Sequence, residues 1–211
     1  LTFLFLWTAR ALPRSQTKQS SSLLRDSMLN DSDDPMEDLL KAEAAAEAAD
    51  VMRPVLMAAE AGDVAAMCAA LDAGGHHVDK QGEDNDTTLH IGCLYGQLAV
   101  VEECIRRGAD VTAKDEDNST PLHDASAGGH YDIAKLLLSK GASVTARDED
   151  GDSPLHLACN GGHAAVAQLL LSHLNEKQRN ILLGLPNGLG QKPADLAEDP
   201  ALVAQLKLAS G

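Results

Sequence analysis

Three sets of residues in this 211-residue chain have the types and spacing to do chemistry. The first is histidine. His90, His123 and His156 stand 33 residues apart, and His130 and His163 repeat at the same interval. An imidazole titrates near neutral pH, so such a set has the means to ligate a metal or move protons. The second is carboxylate. The strings Glu83-Asp84-Asn85-Asp86, Asp115-Glu116-Asp117-Asn118 and Asp148-Glu149-Asp150-Gly151-Asp152 are dense in acid. Clustered carboxylates take hard cations or basic partners. The third is thiol: Cys68, Cys93, Cys104 and Cys159.

Each set fails the catalytic or metal pattern it approaches. Asp148-x-Asp150-x-Asp152 begins like an EF-hand calcium loop. The glycine, however, is at 151 rather than after Asp152, and Cys159 stands where the closing Glu belongs. The cysteines lack Cys-x-x-Cys spacing, so no zinc site is indicated. His76-His77 has no identifiable further ligand. There is no Gly-rich phosphate loop, no Gly-x-Ser-x-Gly, no His-Glu-x-x-His and no paired Cys–His context. The expectation is a non-enzymatic protein with no catalytic residue, cofactor or metal.

Composition narrows the partners. The net charge is −15, and a protein this acidic does not wrap a nucleic-acid backbone. Aromatic residues make up only 2% of the chain, so there is no platform for stacking bases. No run approaches the roughly 20 apolar residues that span a bilayer. A protein partner is expected, and neither nucleic acid nor membrane. Hydrophobic residues reach 44%, enough for a core. With so few aromatics that core must be Leu, Ala, Val and Ile, which favours close-packed helices.

The elements that position these residues come from a repeat. Thr87-Thr88-Leu89-His90 returns as Thr120-Pro121-Leu122-His123 and as Ser153-Pro154-Leu155-His156, each 33 residues on. Gly96, Gly129 and Gly162 keep the same phase. So do Gly108-Ala109-x-Val111-Thr112-Ala113 and Gly141-Ala142-x-Val144-Thr145-Ala146. Thr-Pro-Leu-His at this period resembles the ankyrin-repeat family. The likeness covers about residues 53–211. The acidic strings with Cys93-Leu94-Tyr95-Gly96 are also similar to small plant and green-algal ankyrin proteins.

The local chemistry of one repeat agrees with that likeness. Pro121 and Pro154 suit a first helical turn, where a missing N–H costs nothing. Thr120 and Ser153 are good N-caps. Leu122 and Ala125 should face the core, Gly129 and Gly162 should turn the chain, and Ile133-Ala134-x-Leu136-Leu137-Leu138 is the apolar stripe of a second helix. Gly108 and Gly141 suit helix ends with positive φ. Residues 111–119 should project as a β-turn finger. The fold class predicted is an all-α ankyrin-repeat solenoid of helix-turn-helix units with β-turn fingers.

The division expected is a leader and linker over 1–35, an acidic Ala-rich helix over 36–52, and a degenerate first repeat over 53–86. Repeats then follow over 87–119 and 120–152, a longer repeat over 153–191, and a capping half-repeat over 192–211. The step from Ser153 to Lys192 is 39, so the longer repeat carries six residues more than the period. Lengthening its second helix and loop, over 175–185, is the simplest way to hold them. Residues 1–25 hold Arg10, Arg14, Lys18 and Arg25 with no acid, beside Ser15 and Ser20-Ser21-Ser22. They read as an organelle transit segment, as the tail of a signal peptide, or as a leader with no targeting role. Met28 and Met36 are candidate starts.

Stacked repeats lie about 10 Å apart, so Cys93 and Cys159, two repeats apart, cannot bond. All four cysteines read as free buried thiols, which favours a reducing compartment. The cytoplasm or nucleus is therefore expected, or a chloroplast or other organelle if residues 1–27 are a transit segment. The resemblance implies that the histidines are structural and that the His of the motif bonds backbone in the next finger. It also implies binding through a concave face of fingertips and first helices. By position that face holds Glu83, Asp84, Asp86, Leu94 and Tyr95 in one repeat. The next gives Glu116, Asp117, Ser119, Ala127 and Gly128, and the next Glu149, Asp150, Asp152, Asn160 and Gly161. A monomeric module binding a basic protein segment is expected, with Tyr95 as its aromatic anchor. The alternatives are a docking fragment of a larger enzyme or receptor and a targeting or chaperone factor for organelle proteins.

Overall fold

The computed structural model describes residues 52–82 and 85–209. The leader, the Ala-rich segment over 36–50 and the tip residues Glu83 and Asp84 lie outside the described residues. Four helix pairs follow one another: α1 (Arg53–Glu60) with α2 (Val64–Gly74), α3 (Thr88–Leu94) with α4 (Leu98–Arg106), α5 (Pro121–Ala127) with α6 (Tyr131–Ser139), and α7 (Pro154–Asn160) with α8 (Ala164–Ser172). Then come α9 (Glu176–Gly184), α10 (Pro193–Leu196) and α11 (Pro200–Ala209). There is no strand among the described residues, as the all-α expectation requires.

Each pair is too small to bury its own apolar stripe, so it buries it against its neighbours. Leu89, Leu122 and Leu155, three copies of one position, are completely buried. So are Val100 and Val101 of α4, Leu137 of α6, and Ala167 and Leu170 of α8. First helices stack on first helices and second helices on second helices. The first-helix row is the more closely packed. Pro121 and Pro154 occupy the first helical turn as expected. Gly108 and Gly141 take φ of 88° and 93° just past helix ends, where a left-handed residue is required.

The insertion differs from the expectation. α8 stops at Ser172, with the same nine residues as α6. The extra residues instead make a separate helix, α9. Asn175 starts it, accepting the Gln178 backbone N–H at 2.9 Å while Gln178 Oε1 accepts that of Asn175 at 3.2 Å. That reciprocal cap stops α8 from running on. Leu182 and Leu183 of α9 are buried, as are Leu202 and Leu206 of α11, so the two helices cover the last repeat's core. A half-exposed Cys68 is a second departure; the other three thiols are buried.

The histidines bolt the repeats together. Thr87 donates its backbone N–H to His90 Nδ1 at 3.2 Å and its hydroxyl at 2.9 Å. An Nδ1 that accepts an N–H carries no proton, so the proton sits on Nε2. Nε2 then donates to Ser119 O in the next finger at 3.3 Å. His123 repeats the pattern with Thr120 and with Asp152 O at 3.3 Å. His156 keeps the Ser153 half, at 2.8 Å to Oγ, but its buried Nε2 makes no hydrogen bond of ordinary geometry; the Leu185 and Gln191 carbonyls lie near it as weaker partners. The finger that would accept it follows the insertion.

His130 and His163 tie backward. Their Nε2 atoms reach Leu94 O at 3.2 Å and Ala127 O at 3.0 Å, the last carbonyls of the preceding first helices. Gln97 does the same for Glu60 O at 2.9 Å. The ring of His163 fills the space over Gly129, where an added Cβ would stand 2.4 Å from Nδ1.

Two predictions follow from these bolts. A net hydrogen bond is worth about 1 kcal/mol. His123→Leu should therefore destabilise by roughly 1 kcal/mol more than His156→Leu, which removes a nitrogen with only weak backbone partners. Equal losses in urea unfolding would contradict the pairing. Burial lowers the pKa of His90 from 6.5 to about 4. Between those values the unfolded chain binds more protons, so stability falls as pH falls. The loss from pH 6.5 to 4.5 should be on the order of 2 kcal/mol, and His90→Gln should flatten it. A flat stability profile in the native chain would overturn the neutral bolt.

Candidate protein-binding surface

The fingers are five-residue turns at 82–86, 115–119, 148–152 and 187–191. In each, the first N–H donates to the last carbonyl: Gly82 to Asp86 at 2.9 Å, Asp115 to Ser119 at 3.1 Å, Asp148 to Asp152 at 3.1 Å and Asn187 to Gln191 at 2.8 Å. The fourth residue is left-handed: Asn85, Asn118, Gly151 and Gly190, with φ between 57° and 79°. Asn and Gly are the residues that take this conformation cheaply. In the last three fingers the first side chain also braces the turn. Asp115 Oδ1 accepts the Ser119 N–H at 2.7 Å, Asp148 Oδ1 that of Asp152 at 2.7 Å, and Asn187 Oδ1 that of Gln191 at 2.9 Å.

The last three fingers are joined tip to tip. Glu149 N donates to Asp117 O at 2.8 Å, and Gly188 N to Asp150 O at 2.7 Å. Asn187 Nδ2 adds a bond to Asp152 Oδ1 at 2.9 Å. The tips of these three fingers therefore form one continuous edge, and the acids divide into two kinds. Asp115, Asp148 and Asp152 hold the turns. Glu116, Glu149 and Asp150 are exposed along the edge, with Asp117 and Asp86 half-buried beside them. Like charges this close repel one another and build a negative potential over the edge.

The sequence-expected face is only partly exposed. Ser119 must be removed from it: the residue is buried, its N–H bonded to Asp115 and its carbonyl to Asp115 N and His90. Asp152 is corrected from a displayed acid to one that joins two fingers. Leu94, Ala127 and Gly128 are half-buried, with the Leu94 and Ala127 carbonyls taken by His130 and His163. Asn160 and Gly161 are exposed. Tyr95 is exposed over 37% of its surface. Burial of the rest, with the carboxylates of Glu60 and Asp86 nearby, raises its phenol pKa. Glu83 and Asp84 lie outside the described residues.

Sequence reasoning missed Leu189. It occupies the finger position of Asp117 and Asp150, at the tip of 187–191, and is 84% exposed. The signal was present as a single Leu between two glycines in finger register, Gly188-Leu189-Gly190.

The back of the stack is structural. Arg107 joins α2 to α4 through Asp72 at 2.7 Å and holds Glu103 at 2.8 Å. Arg106 and Arg107 together lower the Glu103 carboxyl to about 2. Cys68 Sγ donates to Glu103 Oε1 at 3.4 Å. Burial raises the thiol pKa of Cys104 and of Cys159 to about 12. Such thiols are poor nucleophiles. Among the described residues no group of three His, Cys, Asp or Glu is placed to hold a metal ion. No helix among them is long and apolar enough to cross a membrane.

Known families agree with this architecture. Family models of ankyrin repeats match residues 55–148, in three copies, and residues 150–181. No curated protein matches the chain.

The joined tips give a test. A Cβ at Gly188 would stand 2.7 Å from Asp150 O, whereas one at Gly184 meets nothing. Gly188→Ala should break the Gly188–Asp150 bond and cost about 1–2 kcal/mol, while Gly184→Ala should be neutral or stabilising. Hydrogen exchange at residue 188 should speed up in the first variant alone. Unchanged exchange there would show that the tips are not joined.

Proposed function

The chain belongs to the ankyrin-repeat family, and we propose on that premise that its edge of acidic fingertips captures a basic segment of a partner protein. Ankyrin repeats are protein–protein interaction modules and typically non-catalytic. The finer statement rests on one observation. Four acids, Glu116, Asp117, Glu149 and Asp150, stand side by side on an edge whose turns are braced by other residues. Bracing accounts for Asp115, Asp148 and Asp152, and leaves Asp117, Glu149 and Asp150 to be explained by what they face. An acidic edge steers a basic partner and sets its register.

Tyr95 supplies the aromatic contact expected of a binding hot spot. The Asp86 carboxylate of the first finger acts electrostatically on its phenol, so the ring stands within the field of the fingers. A cationic side chain can also sit on its ring. No catalytic step is assigned to the module.

The test uses the 211-residue chain and a labelled Lys/Arg-rich decapeptide, followed by fluorescence anisotropy. Binding should weaken steeply between 50 and 200 mM salt, where screening shortens to within a few ångströms of contact distance. Changing Glu116 and Glu149 to Gln, and Asp117 and Asp150 to Asn, should weaken it at least about tenfold without unfolding the chain. Tyr95→Ala should cost roughly 1–2 kcal/mol of binding. If the four-site variant binds as the native chain does, the edge only keeps the stack soluble.

A further inference from the structure

The acidic edge ends in an apolar residue. At one finger position Asp117 and Asp150 are followed by Leu189. Leu189 is 84% exposed, more than any other large apolar residue described. It is not a loose loop residue. Leu189 N donates to Asn187 Oδ1 at 3.0 Å, Gly190 N to Asn187 O at 3.0 Å, and Gly188 N to Asp150 O at 2.7 Å. The two flanking glycines leave Leu189 as the sole side chain at that tip. Holding a leucine rigidly in water forgoes the stabilisation its burial would bring. A turn needs only the Asn and the left-handed Gly, so the leucine serves nothing within the finger.

We infer that the partner segment is bipartite: basic residues over fingers 115–119 and 148–152, and an apolar side chain packed on Leu189. This rests on the reading of the acidic edge as a site for a basic segment. Successive fingers lie about 10 Å apart, close to three residues of extended chain at about 3.3 Å each. The segment therefore reads basic-x-x-basic-x-x-apolar, from one end or the other. Charge gives attraction and register; the apolar residue decides which basic segments are chosen.

Three peptides test this on the 211-residue chain at 50 mM salt by isothermal titration. The first is Lys-Arg-Ser-Lys-Arg-Ser-Ser. The second ends in Leu instead of the last Ser. The third reverses the second. One of the Leu peptides should bind about five- to tenfold more tightly than the Ser peptide, as burial of one leucine allows. Leu189→Ser should abolish that gain, and Ile181→Ser, on the exposed side of α9, should leave it intact. A gain missing in both directions, or surviving in Leu189→Ser, overturns the inference while the acidic edge stands. If the Ser peptide does not bind the native chain at all, the reading of the edge itself has failed.

Discussion

A neutral imidazole shared between two repeats is the interaction on which this stack depends. No repeat here has a core of its own, so every helix pair must be held in register against the next. His90 and His123 do this with both ring nitrogens. Nδ1 closes the start of a first helix and Nε2 reaches a carbonyl in the following finger. His130 and His163 fasten the same repeats from the other side. The His90 bolt needs an unprotonated Nδ1, and burial of that ring supplies it by opposing the charge. The histidines that look most like a metal or catalytic set are thus spent on architecture.

The fingers show how a structure can divide one residue type between two tasks. The first acid of a finger turns inward and holds the turn, and Asp152 reaches across to the next. The remaining acids project from an edge that backbone hydrogen bonds have already made continuous. Their mutual repulsion opposes folding locally and builds a negative potential along the edge.

The end of the stack departs from the rest. The six-residue excess is taken up in α9, a nine-residue helix that closes the last repeat's core with Leu182 and Leu183. The finger beyond it carries Gly188 and Leu189 where the others carry acids, and His156 behind it has a weaker forward bond than His90 and His123. Covering the core of the last described repeat and changing the chemistry of the fingertip edge occur at one place.

Much of this was legible before any coordinates. The 33-residue period, the Pro after Thr or Ser, and the glycines in phase determine helix ends, turns and core positions, because those depend on local backbone preference and on which side chains avoid water. Two things needed the tertiary structure. Acids of identical type could not be sorted into bracing and exposed, since that depends on which carboxylate meets an N–H from its own turn or from the neighbouring finger. Ser119, in register with Asp152 and Asp86, is buried for the same reason. Nor could the inserted residues be assigned: a longer α8 and a separate α9 both suit the composition, and only the Asn175–Gln178 cap with the burial of Leu182 and Leu183 against the stack decides between them. Local preference is written in consecutive residues. Contacts between repeats join residues about 30 apart, and they exist only once the stack has formed.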